Sequence, residues 1–149
     1  MSLAIREALA ADAPAVAALF DRYRQFYEQP ADLALAQQFI AARLENRESV
    51  ILVAESAPGE LVGFCQLYPS FCSVEARPIY TLYDLFVQPA ARKAGAGRLL
   101  LQAAEARAIA EGRARLDLTT ARTNKTAQSL YEALGWVRDD VFFAYSRKV

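Results

Sequence analysis

Apolar and polar positions change their period along this chain, and each change marks an element. Residues 3–7 predict a short edge strand. Asp12 ahead of Pro14 is a helix start. Val16, Leu19, Phe20, Tyr23, Phe26 and Tyr27 follow at spacings of three and four, giving one apolar, strongly aromatic face. Pro30 ends that helix. Asp32 caps the next one, whose apolar face is Leu35, Phe39 and Ala42, with Ile40 and Leu44 beside it and Arg43 toward solvent. Strand-like runs then take over at 50–55 and 61–68, joined by the turn dipeptide Pro58-Gly59 into a hairpin. Gly63 marks a close backbone approach or a bulge. Residues 69–78 read as irregular and carry Cys72 and Glu75. Residues 80–87 form the next strand, and Pro89 closes it. Three strands in succession favour antiparallel pairing.

Helical spacing returns over 98–111, at Leu99, Ala103, Ala106 and Ala110, and Gly112 supplies the C-cap. The strand at 116–120 is reached through that helix, so it runs parallel to the strand at 80–87. Two such strands that diverge leave a crevice at their carboxyl ends, where ligands bind. Asn124 opens a short helix with a buried side of Ala127, Leu130, Tyr131 and Leu134, ended by Gly135 before Trp136. Residues 141–146 predict a last strand. No repeat, linker or low-complexity tract interrupts 1–149, which reads as a single domain.

Between the strand at 80–87 and the helix lies a basic turn: Arg92, Lys93, Ala94, Gly95, Ala96, Gly97, Arg98. Strand, glycine turn and helix form a grip for phosphate. First-turn amides lack partners inside the helix, its dipole is positive there, and glycine lets a ligand come close to the backbone. A plain helix start fits the turn equally well. A Walker loop is excluded, because Gly97 is followed by Arg98 and Leu99. The dinucleotide fingerprint lacks its third glycine, since position 100 is Leu100.

Composition narrows the class. With 54% hydrophobic and 23% charged residues, the chain suits a globular domain with a real core. Zero net charge gives no long-range field toward nucleic acid or anionic membrane. No apolar run approaches the roughly 20 residues of a membrane span, and no signal-peptide pattern opens the chain, so a cytoplasmic location is expected. The absence of histidine removes the usual zinc sites and histidine-based triads, and no metal is expected. Cys65 and Cys72 read as a reduced pair, although their separation permits a bridge.

Two stretches carry a family resemblance. Arg92-x-x-Gly95-x-Gly97, after a strand ending Leu85-Phe86-Val87, resembles the coenzyme A pyrophosphate loop of the GNAT superfamily of N-acetyltransferases. Asn124, Ala127, Leu130-Tyr131 and Gly135-Trp136 resemble its Asn-x-x-Ala-x-x-Leu-Tyr-x-x-x-Gly-Phe pattern, with Trp136 for the usual phenylalanine. The likeness covers nearly the whole chain, in the right order of elements. It implies an α/β (α+β) fold: a mixed, mostly antiparallel sheet of about six to seven strands, about four flanking helices and a splayed central parallel pair. It also implies acetyl-coenzyme A as cosubstrate, a primary amine as acceptor and, as among relatives, a homodimer.

The implied chemistry is direct transfer. The amine nitrogen attacks the thioester carbonyl, the C–S bond breaks, and the coenzyme leaves as a thiolate. A lysine-like amine has a pKa near about 10.4, so only about one in a thousand is neutral at pH 7. A base must take its proton, and the oxyanion needs an N–H donor. By the resemblance, a strand distortion at Leu85, Phe86 and Val87 exposes such donors. The amides of Lys93, Ala94, Gly95, Ala96, Gly97 and Arg98, with Arg92, hold the pyrophosphate. Asn124, and Ala127 in the same motif, bind the coenzyme. Tyr131 is the general acid.

Asp84 is the candidate base. Small-amine relatives carry Leu-Glu-Asp where this chain has Leu82-Tyr83-Asp84, so a tyrosine replaces the glutamate. Three roles for Asp84 stand side by side: base, cation binder, or paired buried carboxylate. Glu28 is the reserve. Tyr23, Tyr27, Glu28, Tyr83 and Asp84 would line an acceptor site through ring faces and carboxylates, although core packing is the commoner fate of such aromatics, Phe26 above all. A small amine, polyamine or amino-acid-like amine is the favoured acceptor. A protein lysine or N-terminus, a catalytically weak acetyl-coenzyme A sensor and another phosphate-binding α/β protein are the alternatives.

Overall fold

The computed structural model describes residues 2–149. The chain forms two compact units, Met1–Leu118 and Thr119–Val149. In the first, β1 (Ala4–Glu7) is followed by α1 (Ala13–Phe26), α2 (Leu33–Glu45), β2 (Val50–Ala57), β3 (Glu60–Cys72), β4 (Arg77–Val87), α3 (Ala96–Ala110) and β5 (Leu116–Asp117), with short 3-10 turns at Ala10–Asp12 and Pro89–Ala94. The five strands form one sheet in sequence order. β1 through β4 pair antiparallel. β5 pairs parallel with β4, through Tyr80 opposite Leu116 and Thr81 opposite Asp117.

Alternation along the strands makes two faces. Ile51, Val53, Phe64 and Phe86 pack against Val16, Ala17, Leu19 and Phe20 of α1 and Ala36 and Ile40 of α2. α3 packs on β2, β3 and β4 and buries Leu100, Leu101, Ala104 and Ala108. This face lies one residue round from the expected Leu99, Ala103, Ala106 and Ala110. α2 likewise buries Ala36 and Ile40 while Leu35 is exposed. Arg43, expected toward solvent, is half-buried: its guanidinium lies over the Phe39 ring, 4.3 Å from the centroid, and pairs with Glu48 at 3.1 Å. Phe26 is 60% exposed rather than core, because α1 ends there, four residues before Pro30, with Tyr27 as C-cap.

The stretch expected to be irregular, 69–78, is largely strand. The β3–β4 ladder continues through Pro69 opposite Tyr80 to Cys72 opposite Arg77. Pro69 is tolerated because its missing N–H would point away from β4, toward the side of β2, and β2 begins only opposite Leu67. Pro78 contributes its carbonyl, which accepts from the Ala114 amide at 2.8 Å.

The second unit holds α4 (Lys125–Ala133). The Asn124 side chain accepts from the Ala127 amide at 3.3 Å and caps it. Ala127, Leu130, Tyr131 and Leu134 share its half-buried side. Gly135, at φ +92°, ends it. The strand expected at 141–146 is not formed. The Asp139 carboxylate accepts from the amides of Val141 at 3.0 Å and Phe142 at 3.2 Å, so donors that a ladder needs are held in a local turn. Among the described residues the sheet therefore has five strands rather than six or seven.

Candidate active site

β4 organises the site. Gln66 of β3 pairs with Asp84, but Leu67 pairs with Leu82, so Tyr83 is an extra residue on β4. This bulge lies one residue before the Leu85-Phe86-Val87 run where the distortion was expected. Past it, Asp84 and Phe86 stand opposite Gln66 and Phe64, on the face covered by α1 and α2.

The ladder between β4 and β5 ends at Thr81. The Gln88 amide donates to the Val62 carbonyl at 2.9 Å. By antiparallel alternation, the amides of Asp84 and Phe86 also face β3, and those of Leu85 and Val87 face the other edge, beyond the last β5 pair. Residues 82–87 of β4 therefore have no β5 partner among the described residues. Gly63 sits opposite Val87 and lets β3 come close to this stretch.

Asp84 is 3% exposed. Gln66 Nε2 donates to its Oδ2. The Tyr23 hydroxyl donates to the Tyr83 carbonyl oxygen at 3.1 Å and also bears on the Asp84 carboxylate. No Lys or Arg forms an ion pair with Asp84 among the described residues. Burial pushes the Asp84 pKa up, against the opposing pull of the Gln66 and Tyr23 hydrogen bonds. Its negative charge, added to burial, raises Tyr23 well above the usual phenol and Tyr68 to about 12.

Aromatic rings flank this carboxylate. Tyr23 meets Tyr27 edge-on at 5.1 Å, and Tyr68 meets Tyr83 edge-on at 5.8 Å. Tyr23, Tyr83 and Asp84 thus lie together, with Tyr27 attached through Tyr23. Glu28 is not: it is exposed at the end of α1 with φ 64°, and no hydrogen bond joins it to the others among the described residues. Sequence reasoning missed Gln66, Ser49 and Tyr68. A lone glutamine inside the apolar run of β3, two residues from a tyrosine on the same face, was the available signal.

The basic turn has the geometry of a helix-opening anion cradle. Gly95 is in the left-handed conformation, φ +81°, and is the N-cap of α3. Its carbonyl receives the first helical bond, from the Leu99 amide at 3.1 Å, so the amides of Ala96, Gly97 and Arg98 precede that bond. The Gly95 amide itself reaches the Arg92 carbonyl at 3.4 Å. Lys93 and Arg98 are exposed, while Ala94 and Gly97 are half-buried. Arg92 Nε donates to the Val87 carbonyl oxygen at 2.9 Å and its guanidinium lies 6.0 Å from the Phe86 ring centroid. This ties the turn to the end of β4.

In the second unit Asn124 caps α4, and Ala127 and Tyr131 lie on it. The Tyr131 ring lies 6.1 Å from that of Trp136. Among the described residues no group of three or more His, Cys, Asp or Glu is placed to hold a metal ion, and no helix is long and apolar enough to cross a membrane.

A mixed sheet with a parallel last pair beside a glycine-opened helix is a frame that suits a phosphate-bearing ligand. The chain belongs to the Acetyltransferase (GNAT) family, whose sequence model matches residues 13–136. Over 145 residues it is 51% identical to an uncharacterized N-acetyltransferase, YhfO, of Bacillus subtilis (strain 168), covering 97% of each chain. Its fold matches the crystal structure of a probable acetyltransferase with a TM-score of 0.91, at 33% identity over 98% of this chain and 97% of that one. A ribosomal-protein-alanine N-acetyltransferase from Brucella melitensis biovar Abortus 2308 shares the fold at a TM-score of 0.83 and 22% identity, over 99% and 100% of the two chains. The chain is therefore an acyl-coenzyme A-dependent N-acyltransferase, of a family whose cosubstrate is acetyl-coenzyme A.

Proposed function

We propose that this acetyltransferase acts on a small primary amine, such as a diamine, polyamine or amino-acid-like amine. The observation that carries this reading is Asp84: a buried carboxylate with no cationic partner among the described residues, flanked by Tyr23, Tyr68 and Tyr83, beside the stretch of β4 beyond its last β5 pair. An ammonium group is the complement of such a site, through ring faces and one negative charge.

In this reading Asp84 receives the amine's proton, directly or through water, so that the neutral nitrogen can attack the thioester carbonyl. The amides of Leu85 and Val87 face the edge where the acyl arm would lie and would stabilise its carbonyl oxygen as charge develops. Ala96, Gly97 and Arg98 offer first-turn amides to the pyrophosphate, with Gly95 and Ala94 shaping the bend and Lys93, Arg98 and Arg92 adding charge. The resemblance of the Asn124–Trp136 segment to the family motif gives Asn124 and Ala127 as its coenzyme contacts and Tyr131 as its proton donor to the departing thiolate. The Cys65 thiol is pushed up to about 12 by burial, which suits transfer without an acyl-enzyme.

The test is thiol release from acetyl-coenzyme A with a panel of diamines, polyamines, amino acids, lysine peptides and N-terminal peptides. Turnover concentrated on small amines is the expected result. Turnover confined to the peptides, or coenzyme binding without turnover on any amine, would overturn the proposal.

A further inference from the structure

Gln66 is fully buried, polar, and flanked in β3 by apolar neighbours. It lies directly opposite Asp84 in the β3–β4 register. Its Nε2 donates to Asp84 Oδ2. Its Oε1 accepts from the Ser49 hydroxyl at 2.7 Å. Ser49 immediately precedes β2, so the line Ser49–Gln66–Asp84 runs across three neighbouring strands.

The chemistry of each group fixes the direction of this line. A carboxylate only accepts, so Gln66 must offer it the NH2 end. That leaves Oε1 facing Ser49, whose hydroxyl must donate. The carboxylate thus decides which end of the amide faces it, and the Ser49 hydroxyl, which can donate or accept, satisfies and holds the other end. Such a line is not what stability alone selects, because a well-packed apolar pair commonly does as well as buried polar groups.

We infer that Gln66, held by Ser49, is a positioning residue for Asp84: by bonding Oδ2 it fixes the carboxylate beside Tyr23 in the orientation that receives the acceptor amine's proton. This inference rests on the proposed role of Asp84 as the group that takes the amine's proton. Gln66 touches neither substrate nor cofactor in it, and acts only through the carboxylate. By donating to Oδ2 it also favours the ionised form that can receive a proton, against the pull of burial. The other titratable groups near Asp84 are Tyr23 from α1, Tyr68 from β3 and Tyr83 from β4 itself, with Cys65 on the opposite face of β3. Burial and the Asp84 charge push the Tyr23 and Tyr68 phenols and the Cys65 thiol up, away from the range where a carboxyl titrates, so these three do not compete for the shift.

The test uses the full-length protein and two readouts. The first is the titration of the Asp84 carboxyl, followed by 13C NMR in wild type, Gln66→Leu, Ser49→Ala and Ser49→Thr. The second is the pH dependence of kcat/KM for the amine in the same proteins and in Asp84→Asn. Gln66→Leu should move the Asp84 titration to higher pH and move the acidic limb of the rate profile with it. On the acidic limb the rate should fall about tenfold at a given pH, the scale of one charge-assisted hydrogen bond, with KM for acetyl-coenzyme A unchanged. Ser49→Ala should shift both in the same direction by less, and Ser49→Thr, which keeps the hydroxyl, should restore wild-type behaviour.

An Asp84 titration unmoved by Gln66→Leu overturns the inference. So does a titration that moves while the acidic limb stays in place. If Gln66→Leu fails to fold, Ser49→Ala against Ser49→Thr decides by the same two criteria. A profile of Asp84→Asn parallel to wild type removes the proposed role of Asp84. It would leave the hydrogen bond visible in the NMR shift but without a part in the reaction, so the two failures are distinguishable.

Discussion

Gly63 stands opposite Val87 so closely that a Cβ on it would come within 3.0 Å of the Phe86 carbonyl oxygen and 3.1 Å of Val87 Cγ2. Backbone sits on one side of that contact, so it cannot relax by a side-chain rotation. Gly63→Ala should push β4 outward where it hands over to the basic turn. A destabilisation of about 1–3 kcal/mol is expected from such overpacking. KM for acetyl-coenzyme A should rise more than KM for the amine, because Val87 also receives Arg92. Thermal unfolding and two-substrate kinetics check this.

Asp84→Asn separates function from stability. A carboxyl whose pKa is raised on folding takes stability away as pH rises through the native pKa, and leaves it intact at low pH where it is protonated. The variant should therefore unfold at a higher temperature than wild type at neutral pH, by about 3 °C, with the gap closing in acid. The substituted side chain keeps a carbonyl oxygen that can still accept from Gln66. Turnover should fall by about 100-fold or more, and the acidic limb of the pH–rate profile should vanish with the group that titrates. Calorimetry across pH and rate profiles check both halves.

Gly95 has nothing within 4 Å of an added Cβ, yet holds φ +81°. Its constraint is conformational rather than spatial. Gly95→Ala should cost about 1–2 kcal/mol, and Gly95→Asn should cost less, since asparagine tolerates the left-handed region better. Both should weaken coenzyme A binding in proportion to the strain, measurable by calorimetric titration beside thermal melts.

The two cysteines differ in environment. Cys72 is half-buried, near the far end of β3. The Glu75 backbone and the Arg115 guanidinium, with Nη1 3.3 Å from Sγ, lower its pKa. Cys65 is buried and its thiol is pushed up to about 12. Iodoacetamide should therefore modify Cys72 readily and leave Cys65 untouched in the native protein, with Arg115→Gln slowing the reaction. Mass spectrometry of the alkylated protein reads this directly. Acetyl transfer should survive modification of Cys72.

Much of this fold was legible because its signals are local. Asp32 and Asn124 cap helices, Gly59 and Gly95 take the positive φ of a turn and a helix start, and the β2–β3 hairpin and the parallel return of β5 follow from element order. What was hidden depends on neighbours. Pro69 reads as a breaker, yet sits in the ladder because no strand lies on its N–H side. Residues 141–146 have strand composition, but Asp139 holds two of their amides. Asp84 and Tyr23 were legible as a pair of candidates. Gln66 stood out only as a lone glutamine in an apolar run, and its pairing with Asp84 and Ser49 depends on a strand register that no local signal announces.

The extra residue at Tyr83 settles which side of the sheet carries the chemistry. Strict alternation from Thr81, which pairs with Tyr68, would send Asp84 to the side of α3 together with Leu82. The insertion flips that parity, so the carboxylate arrives beneath Tyr23 instead. Deleting one residue at this position would keep Asp84, Gln66 and Tyr23 in the protein and still dismantle the pocket, by delivering the carboxylate to the wrong floor of the building.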